Sequence, residues 1–409
     1  MSDPRSPGQR IGLLISGGLS SLALAAWLHD QGHDVVAFAA DIGPADTSAY
    51  REFTASVRAA GITVHEVDLL RLMAATALET VAFQARYDGG YWNTTGLSRA
   101  VLVEGLAPAL RTAGCQILAT GCVSGGNDQK RFERYTQYFA PDLTVLAPWG
   151  DAAIREALPD RDAMARYIAR AGLYCLPGNS AEHSTEGNLA GVSHEDATLE
   201  DLGSRSSGIP RLLGVGPLEA PDTVASTVIE IEAGRPVSID GVRLPPERLL
   251  AAANEIGGRH GLGLTDVVEN RVNGTKCRGV YEAPGLELLF QAVRTAHQAS
   301  TDRRTGDIAQ FLAERFAASA YEGAAYGPAA QAARAGLERL IEGVTATVRL
   351  DLYKGQVLDR TLVRLGAGTG VVRQRRFGIG GQVWNSEPVP ESIPETFAAS
   401  AEPVGVGHA

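Results

Sequence analysis

The feature that most constrains this chain is a rhythm. From residue 11 to about 148, short apolar runs of similar length alternate with longer stretches of helical spacing. IGLLI (11–15), DVVAFAA (34–40), ITVHEVDL (62–69), QILAT (116–120) and LTVLAP (143–148) read as strands. SLALAAWLHDQ (21–31) and stretches over 49–60 and 97–113 read as helices. Alternation of this kind implies a parallel sheet covered by helices on both faces. Ligands of such sheets sit at the carboxyl ends of the strands, at a switch point of the topology. From about 173 the rhythm stops. A Gly/Ser/Pro-rich stretch leads to STVIEIEAGRPVSIDGV, which reads as an antiparallel hairpin. Helical patterns follow at 246–259, 286–298, 303–320 and 327–342, then a second hairpin that turns at Lys354-Gly355. The expected fold class is α/β. A parallel, doubly wound nucleotide-binding domain (1–172) is followed by an α+β domain (173–365) and a C-terminal extension (366–409). The extension is rich in Pro, Ala and Ser and is expected to be weakly structured.

Composition removes several function classes. The 409 residues suffice for two or three domains with sizeable cores. A net charge of -10 argues against a broad nucleic-acid footprint, which needs a basic face. No apolar run approaches the roughly 20 residues needed to span a bilayer, so no membrane partner is expected. The start, MSDPRSPGQR, is polar and lacks the apolar stretch of a secretion signal. Cys115, Cys122, Cys175 and Cys277 show no CxxC pair and no metal-ligand spacing. They read as reduced thiols of a cytoplasmic protein, with no metal held by side chains alone.

Three stretches carry chemistry. SGGLSS (16–21) follows the first strand and opens a helix. Its glycines allow close backbone approach, and its successive N–H groups form an anion nest at a helix N-terminus. A strand-to-helix turn with serine capping would look similar. ATGCVSGGNDQKRFERY (119–135) again follows a strand and precedes a helix, so it falls on the same sheet edge. Asn127, Asp128 and Arg131 offer amide, carboxylate and guanidinium groups suited to the ammonium and carboxylate of an amino acid. The bland alternative is a capped helix with an Asp128–Arg131 pair. VVENRVNGTKCRGVYEAPG (267–285) crowds charge around a turn at Asn273-Gly274, a pattern that is usually a solvated face.

Together these stretches resemble one family, argininosuccinate synthase. SGGLSSL stands where that family has Ser-Gly-Gly-Leu-Asp-Thr-Ser. GGNDQKRFE is similar to its Gly-Asn-Asp-Gln and Arg-Phe-Glu loop, and ENRVNGTKCRGVYEAPG to its Glu-Asn-Arg to Tyr-Glu-Thr-Pro block. YWNTTGLSRAVLVEGLAP (91–108), APDLTVLAPW (140–149) and EHSTEGNLAGVSHEDATLED (182–201) extend the resemblance, which runs in order from about 11 to 360.

The resemblance implies an ATP pyrophosphatase-type domain and a synthetase domain, assembled as a homotetramer. It implies an AMP-forming C–N ligase that activates the ureido oxygen of citrulline with ATP for attack by the aspartate amine. The cofactor set would be ATP with Mg²⁺ held mainly through its phosphates, and the partners small amino-acid substrates. By position, Ser16, Gly17, Gly18, Ser20 and Ser21 would cradle phosphates, with Ala40 and Gly121 bordering the nucleotide. Asn127 and Asp128 would hold aspartate close to the reacting atoms, with Arg99 nearby. Tyr91, Thr95, Asn127, Asp128, Arg131, Ser184, Ser193, Glu269 and Tyr281 would bind substrate. The departures fall inside the site: Ser20 replaces an acid, Val123 a threonine, Gly125 a lysine and Gly96 a serine. Losing hydroxyl donors leaves polar substrate atoms unpaired, at roughly 1–3 kcal/mol each. Two alternatives therefore stand beside the implied activity. One is a family ligase with another acceptor or amine donor. The other is a non-catalytic homologue that binds nucleotide or amino acid.

Overall fold

The computed structural model describes residues 9–43, 47–88, 90–122, 127–176, 183–196, 199, 201–272 and 274–366. Its first half is built as β1 (Ile11–Ile15), α1 (Leu19–Asp30), β2 (Val35–Asp41), α2 (Thr47–Ala59), β3 (Thr63–Asp68), α3 (Leu70–Ala82), α4 (Thr94–Thr112), β4 (Ile117–Ala119), α5 (Asn127–Phe139), β5 (Thr144–Leu146), α6 (Ala152–Ala157) and α7 (Arg161–Arg170). The five strands lie in the order β3-β2-β1-β4-β5, and every pairing is parallel. The winding direction reverses between β1 and β4, so the loops leaving those two strands face one crevice. β1 is buried along its whole length because helices cover both faces. On one face Leu13, Ile15, Leu24 and Leu28 pack with Ile154, Met164 and Ile168. On the other, Leu14 and Phe38 pack with Met73, Val101 and Leu110.

The second half contributes β6 (His183–Asn188), β7 (Gly191–Asp196), β8 (Ala225–Glu232), β9 (Arg235–Ile239), β10 (Val242–Arg243), α8 (Pro246–Arg259), β11 (Leu264–Asn270), β12 (Lys276–Glu282), α9 (Pro284–Ser300), α10 (Arg303–Tyr321), α11 (Pro328–Ile341), β13 (Ala346–Tyr353) and β14 (Gln356–Leu365). They form two antiparallel sheets, β10-β9-β8-β13-β14 and β11-β12-β7-β6. The first is stitched by two tight turns, Ala233-Gly234 and Lys354-Gly355, with both residues of each at positive φ. That conformation matches the right-handed twist of a two-residue hairpin. The expected α/β class with an antiparallel α+β half is therefore what the chain adopts. The extension expected beyond 365 lies outside the described residues after Gly366.

Several elements differ from the sequence reading, which does not include α3, α6, α7 or the β6–β7 pair and starts α4 later. α3 follows β3 directly, and the side chain that caps it is that of Asp68, the last residue of β3, whose Oδ1 accepts the Leu70 N–H at 2.9 Å, so the start signal is hidden at the strand end. α4 begins at Thr94 rather than 97, behind Asn93 in a left-handed conformation (φ 55°). α3 matters to the architecture because it packs against α8 and α9 of the second half. One apolar cluster thus runs from Leu14 and Met73 to Leu250, Leu286 and Val348.

Gly12 shows how closely α4 lies on β1. A Cβ there would stand 2.2 Å from a Leu110 methyl and 3.2 Å from Cys115 Sγ. Gly12→Val is expected to overpack this contact and to lower the thermal midpoint by about 5 °C, at a cost of about 2 kcal/mol. Differential scanning fluorimetry on the full chain checks it.

Candidate active site

The loop after β1 is shaped by its glycines. Gly17 adopts φ +74°, and its carbonyl accepts the Leu176 N–H at 2.9 Å. Gly18 is the N-cap of α1 and has no capping side chain, so the first N–H groups of the helix are left for another acceptor. The first turn of α1 holds no acidic residue. Ser16 is exposed beside this N-terminus, and Ser20 is half-buried. Ser21 is turned inward. Its hydroxyl donates to Gly18 O at 3.0 Å and accepts the Ser16 N–H at 3.3 Å, so it ties the loop together instead of facing an anion. Gly121, just beyond β4, brings the second loop against the first. A Cβ at Gly121 would lie 3.0 Å from Ser21 Cα. Ala40, the penultimate residue of β2, lies one position past the Ile15–Ala39 pair, on the same sheet edge. Val123 and Gly125, the departures expected in the second loop, fall outside the described residues.

Beside these loops lies a buried ionic network from three elements. Arg99 of α4 donates through Nη2 to Asp128 Oδ2 at 2.6 Å and also to the Glu186 carboxylate of β6. Arg131, one turn along α5, donates through Nη1 to Asp128 Oδ1 at 2.8 Å and through Nε to Tyr321 O at 2.8 Å. Arg99 and Arg131 are 8% and 4% exposed, so neither charge could be tolerated without its partners. Burial pushes the Asp128 carboxyl up, but Arg99 and Arg131 outweigh it and bring it down to about 2.

A third group of side chains is aromatic. Tyr91 and Tyr281 stack at 3.9 Å between centroids, as do Tyr87 and Tyr321, and Tyr321 meets Tyr91 edge-on at 6.3 Å. Tyr281 faces Ser193 across the β12–β7 pair, and Ser193 Oγ lies 3.2 Å from Thr95 Oγ1. The Thr95 N–H donates to the Tyr91 hydroxyl at 3.0 Å. Inside this wall is Glu269, 5% exposed. Its Oε1 accepts from the Tyr281 hydroxyl and, at 3.5 Å, from the Cys277 thiol. Its Oε2 is buried and has no partner. Burial and the neighbouring Tyr91 and Glu269 hold the Tyr281 phenol well above its usual range, so it stays a donor. Burial likewise pushes the Cys277 thiol up to about 11.

Most of the residues singled out in the sequence therefore converge. Arg99, Asp128 and Arg131 form the network, while Tyr91, Thr95, Ser193, Glu269 and Tyr281 line the adjoining wall. Asn127 joins them, since its Oδ1 accepts the Val272 N–H at 3.0 Å and its Nδ2 donates to the Tyr321 hydroxyl at 3.0 Å. Ser184 lies on β6 opposite Glu195, and its side chain is outside the described residues. Sequence reasoning missed Glu186, Tyr87, Tyr321 and the thiol of Cys277. Glu186 and Cys277 sit within stretches already noted, two residues from Ser184 and four from Tyr281. Tyr87 and Tyr321 carry no local signal. Among the described residues no group of three or more His, Cys, Asp or Glu is placed to hold a metal ion, and no helix is long and apolar enough to cross a membrane.

Comparison with known proteins gives the family. The family model described as arginosuccinate synthase N-terminal HUP domain matches residues 10–173, and that of the C-terminal domain matches 183–361. Argininosuccinate synthase of Pelotomaculum thermopropionicum is 35% identical over 85% of this chain and 86% of its own length. That of Desulfitobacterium hafniense is 33% identical, covering 85% of each. The chloroplastic enzyme of Arabidopsis thaliana is 32% identical over 85% of this chain and 70% of its own length. The chain belongs to the argininosuccinate synthase family. The two argininosuccinate synthase domain matches come from opposite ends of the chain, and the ionic network joins them: Arg99 and Asp128 belong to the first, Glu186 to the second.

Asp128 has a testable signature. Its carboxyl lies below the ordinary 3.8 when folded, so the stability it contributes is present above about pH 4 and is lost as pH falls towards 2. A shift of nearly two units corresponds to about 2 kcal/mol. Asp128→Asn is expected to cost about 3 kcal/mol at pH 7 by leaving two buried cations undercompensated. Its deficit relative to wild type should narrow by about 2 kcal/mol between pH 5 and pH 2, as read by urea unfolding.

Proposed function

We propose that this protein is an ATP-dependent, AMP-forming carbon–nitrogen ligase. It would adenylate the ureido oxygen of a citrulline-type acceptor and release pyrophosphate, after which the amine of aspartate displaces AMP. The observation that carries the reading is the buried, unpartnered Oε2 of Glu269. A bare carboxylate oxygen in an aromatic wall suits the ammonium of an amino acid, whose N–H donors would satisfy it. Arg131, Ser193, Thr95, Tyr91 and Tyr281, with Asn127 shared between acceptor and donor, supply further groups that can orient such a molecule.

The chemistry asks mainly for positioning and charge stabilisation. ATP supplies the leaving group that a ureido oxygen lacks. The N-terminus of α1 and the N–H groups of Gly17 and Gly18 would donate to its phosphate oxygens, and Gly121 would leave room beside Ser21. Mg²⁺ would be held chiefly by the phosphates themselves, because the loop offers it no carboxylate. Asn127 and Asp128, with Arg99, would hold the amine donor next to the activated carbon. Assembly as a cytoplasmic homotetramer belongs to the same reading. A second reading, a family ligase with another acceptor or amine donor, is favoured by the missing acid in the first turn of α1. In that case Ser20→Asp lowers the native activity, whereas in a weakened citrulline–aspartate enzyme it raises AMP formation.

The test is pyrophosphate exchange into ATP by the purified protein over a panel of ureido and amide amino acids. Exchange is expected with citrulline or a close relative, followed by AMP release on adding aspartate. Absence of acceptor-dependent exchange across the whole panel sinks the reading. Glu269→Gln is expected to raise the acceptor KM at least tenfold, the loss of a buried charge pair, while leaving the ATP KM unchanged.

A further inference from the structure

The end of α10 is wedged against α4 and α5, and two glycines permit it. A Cβ at Gly96 would stand 3.0 Å from Ala320 O and 3.5 Å from Arg131 Nε. Gly323, at φ +79°, would place a Cβ 2.8 Å from Arg131 Cα. The residue delivered by this wedge is Tyr321, 2% exposed although it comes from the other half of the chain. Its carbonyl accepts Arg131 Nε at 2.8 Å, and the Arg131 guanidinium stands 4.9 Å from the centre of its ring. Its hydroxyl accepts the Asn127 amide Nδ2 at 3.0 Å. The opposite end of that amide accepts the Val272 N–H at 3.0 Å. A backbone N–H can only donate, so Val272 fixes which end of the amide is oxygen and Tyr321 receives the nitrogen.

We infer that Tyr321 is a positioning residue for substrate: it sets the orientation of both Asn127 and Arg131, the two α5 side chains that meet the acceptor. The inference rests on the ligase reading above and goes beyond it. With one N–H of Asn127 committed to Tyr321, the second N–H and the remaining lone pair of Oδ1 are the groups offered to a ligand. The guanidinium is treated the same way. Nε is committed to Tyr321 O and Nη1 to Asp128, which leaves Nη2 as the edge that can approach a substrate carboxylate. The ring of Tyr87, stacked on Tyr321 at 3.9 Å and 9°, holds the phenol in place from outside.

The experiment compares wild type, Tyr321→Phe and Tyr321→Leu in acceptor-dependent pyrophosphate exchange, with thermal midpoints measured alongside. Tyr321→Phe keeps the ring, its stack and the carbonyl, and removes the hydroxyl that the Asn127 amide donates to and that also faces the Glu269 carboxylate. It is expected to raise the acceptor KM about tenfold, with the ATP KM within twofold and the midpoint within a few degrees, the scale of one orienting hydrogen bond. Tyr321→Leu is expected to raise the acceptor KM further, with phenylalanine restoring the part due to the ring. A merely structural residue would change the midpoint, or both KM values together. An unchanged acceptor KM in Tyr321→Phe, or an equal rise in both constants, overturns the inference while leaving the ligase reading intact. A wild-type protein silent with every acceptor takes down the reading and the inference with it.

Discussion

Asp128 sits between two arginines in a place where none of the three could remain charged alone. Arg99 and Arg131 are almost entirely buried, and an isolated buried guanidinium would cost several kcal/mol in lost hydration. Each is held by the carboxylate between them, and Arg99 also by Glu186 from the second half. Close packing of α4, α5 and β6 is therefore required by charge as well as by apolar burial. The network also dictates what else can be near. It leaves an aromatic wall around the Glu269 carboxylate on one side and a glycine-lined loop edge on the other.

That division shows which parts of the fold could be read from residues alone. The parallel sheet was legible because uniform apolar runs separated by helical spacing have few other solutions. The two glycine loops were legible because they follow strands and open helices, and Gly121 does come against Ser21. The inward turn of the Ser21 hydroxyl was not legible. A serine that knits a loop and one that faces an anion have the same sequence signature. α3 escaped because Asp68, which caps its first N–H, is also the last residue of β3, so no loop separates the two. The role of Tyr321 depends on a partner 190 positions away, where neither periodicity nor a local motif can reach.

The β12–β7 pair shows how one strand serves two purposes. Tyr281 points to the aromatic wall, and the next residue, Glu282, points to the opposite face because side chains alternate along a strand. There its carboxylate lies 2.7 Å from His194 Nε2 and accepts the Leu212 and Leu213 N–H groups at 2.9 and 3.0 Å. The back of the sheet is thus pinned by the same backbone that carries the site. The register of Tyr281 opposite Ser193 is fixed from behind.

The apolar cluster shared by the two halves has a consequence for how such a chain can arise and change. Met73, Ala77, Leu78 and Val81 on α3 belong to the same cluster as Leu249, Leu250, Ala253, Leu286, Leu289 and Val293 on α8 and α9. Either half expressed alone would present this surface to water, a sticky patch of the kind that drives aggregation. Each half therefore depends on the other to cover its apolar face. Recombination that exchanges one of them must bring in a partner whose apolar relief already fits, whereas a point change within the site leaves that shared surface untouched.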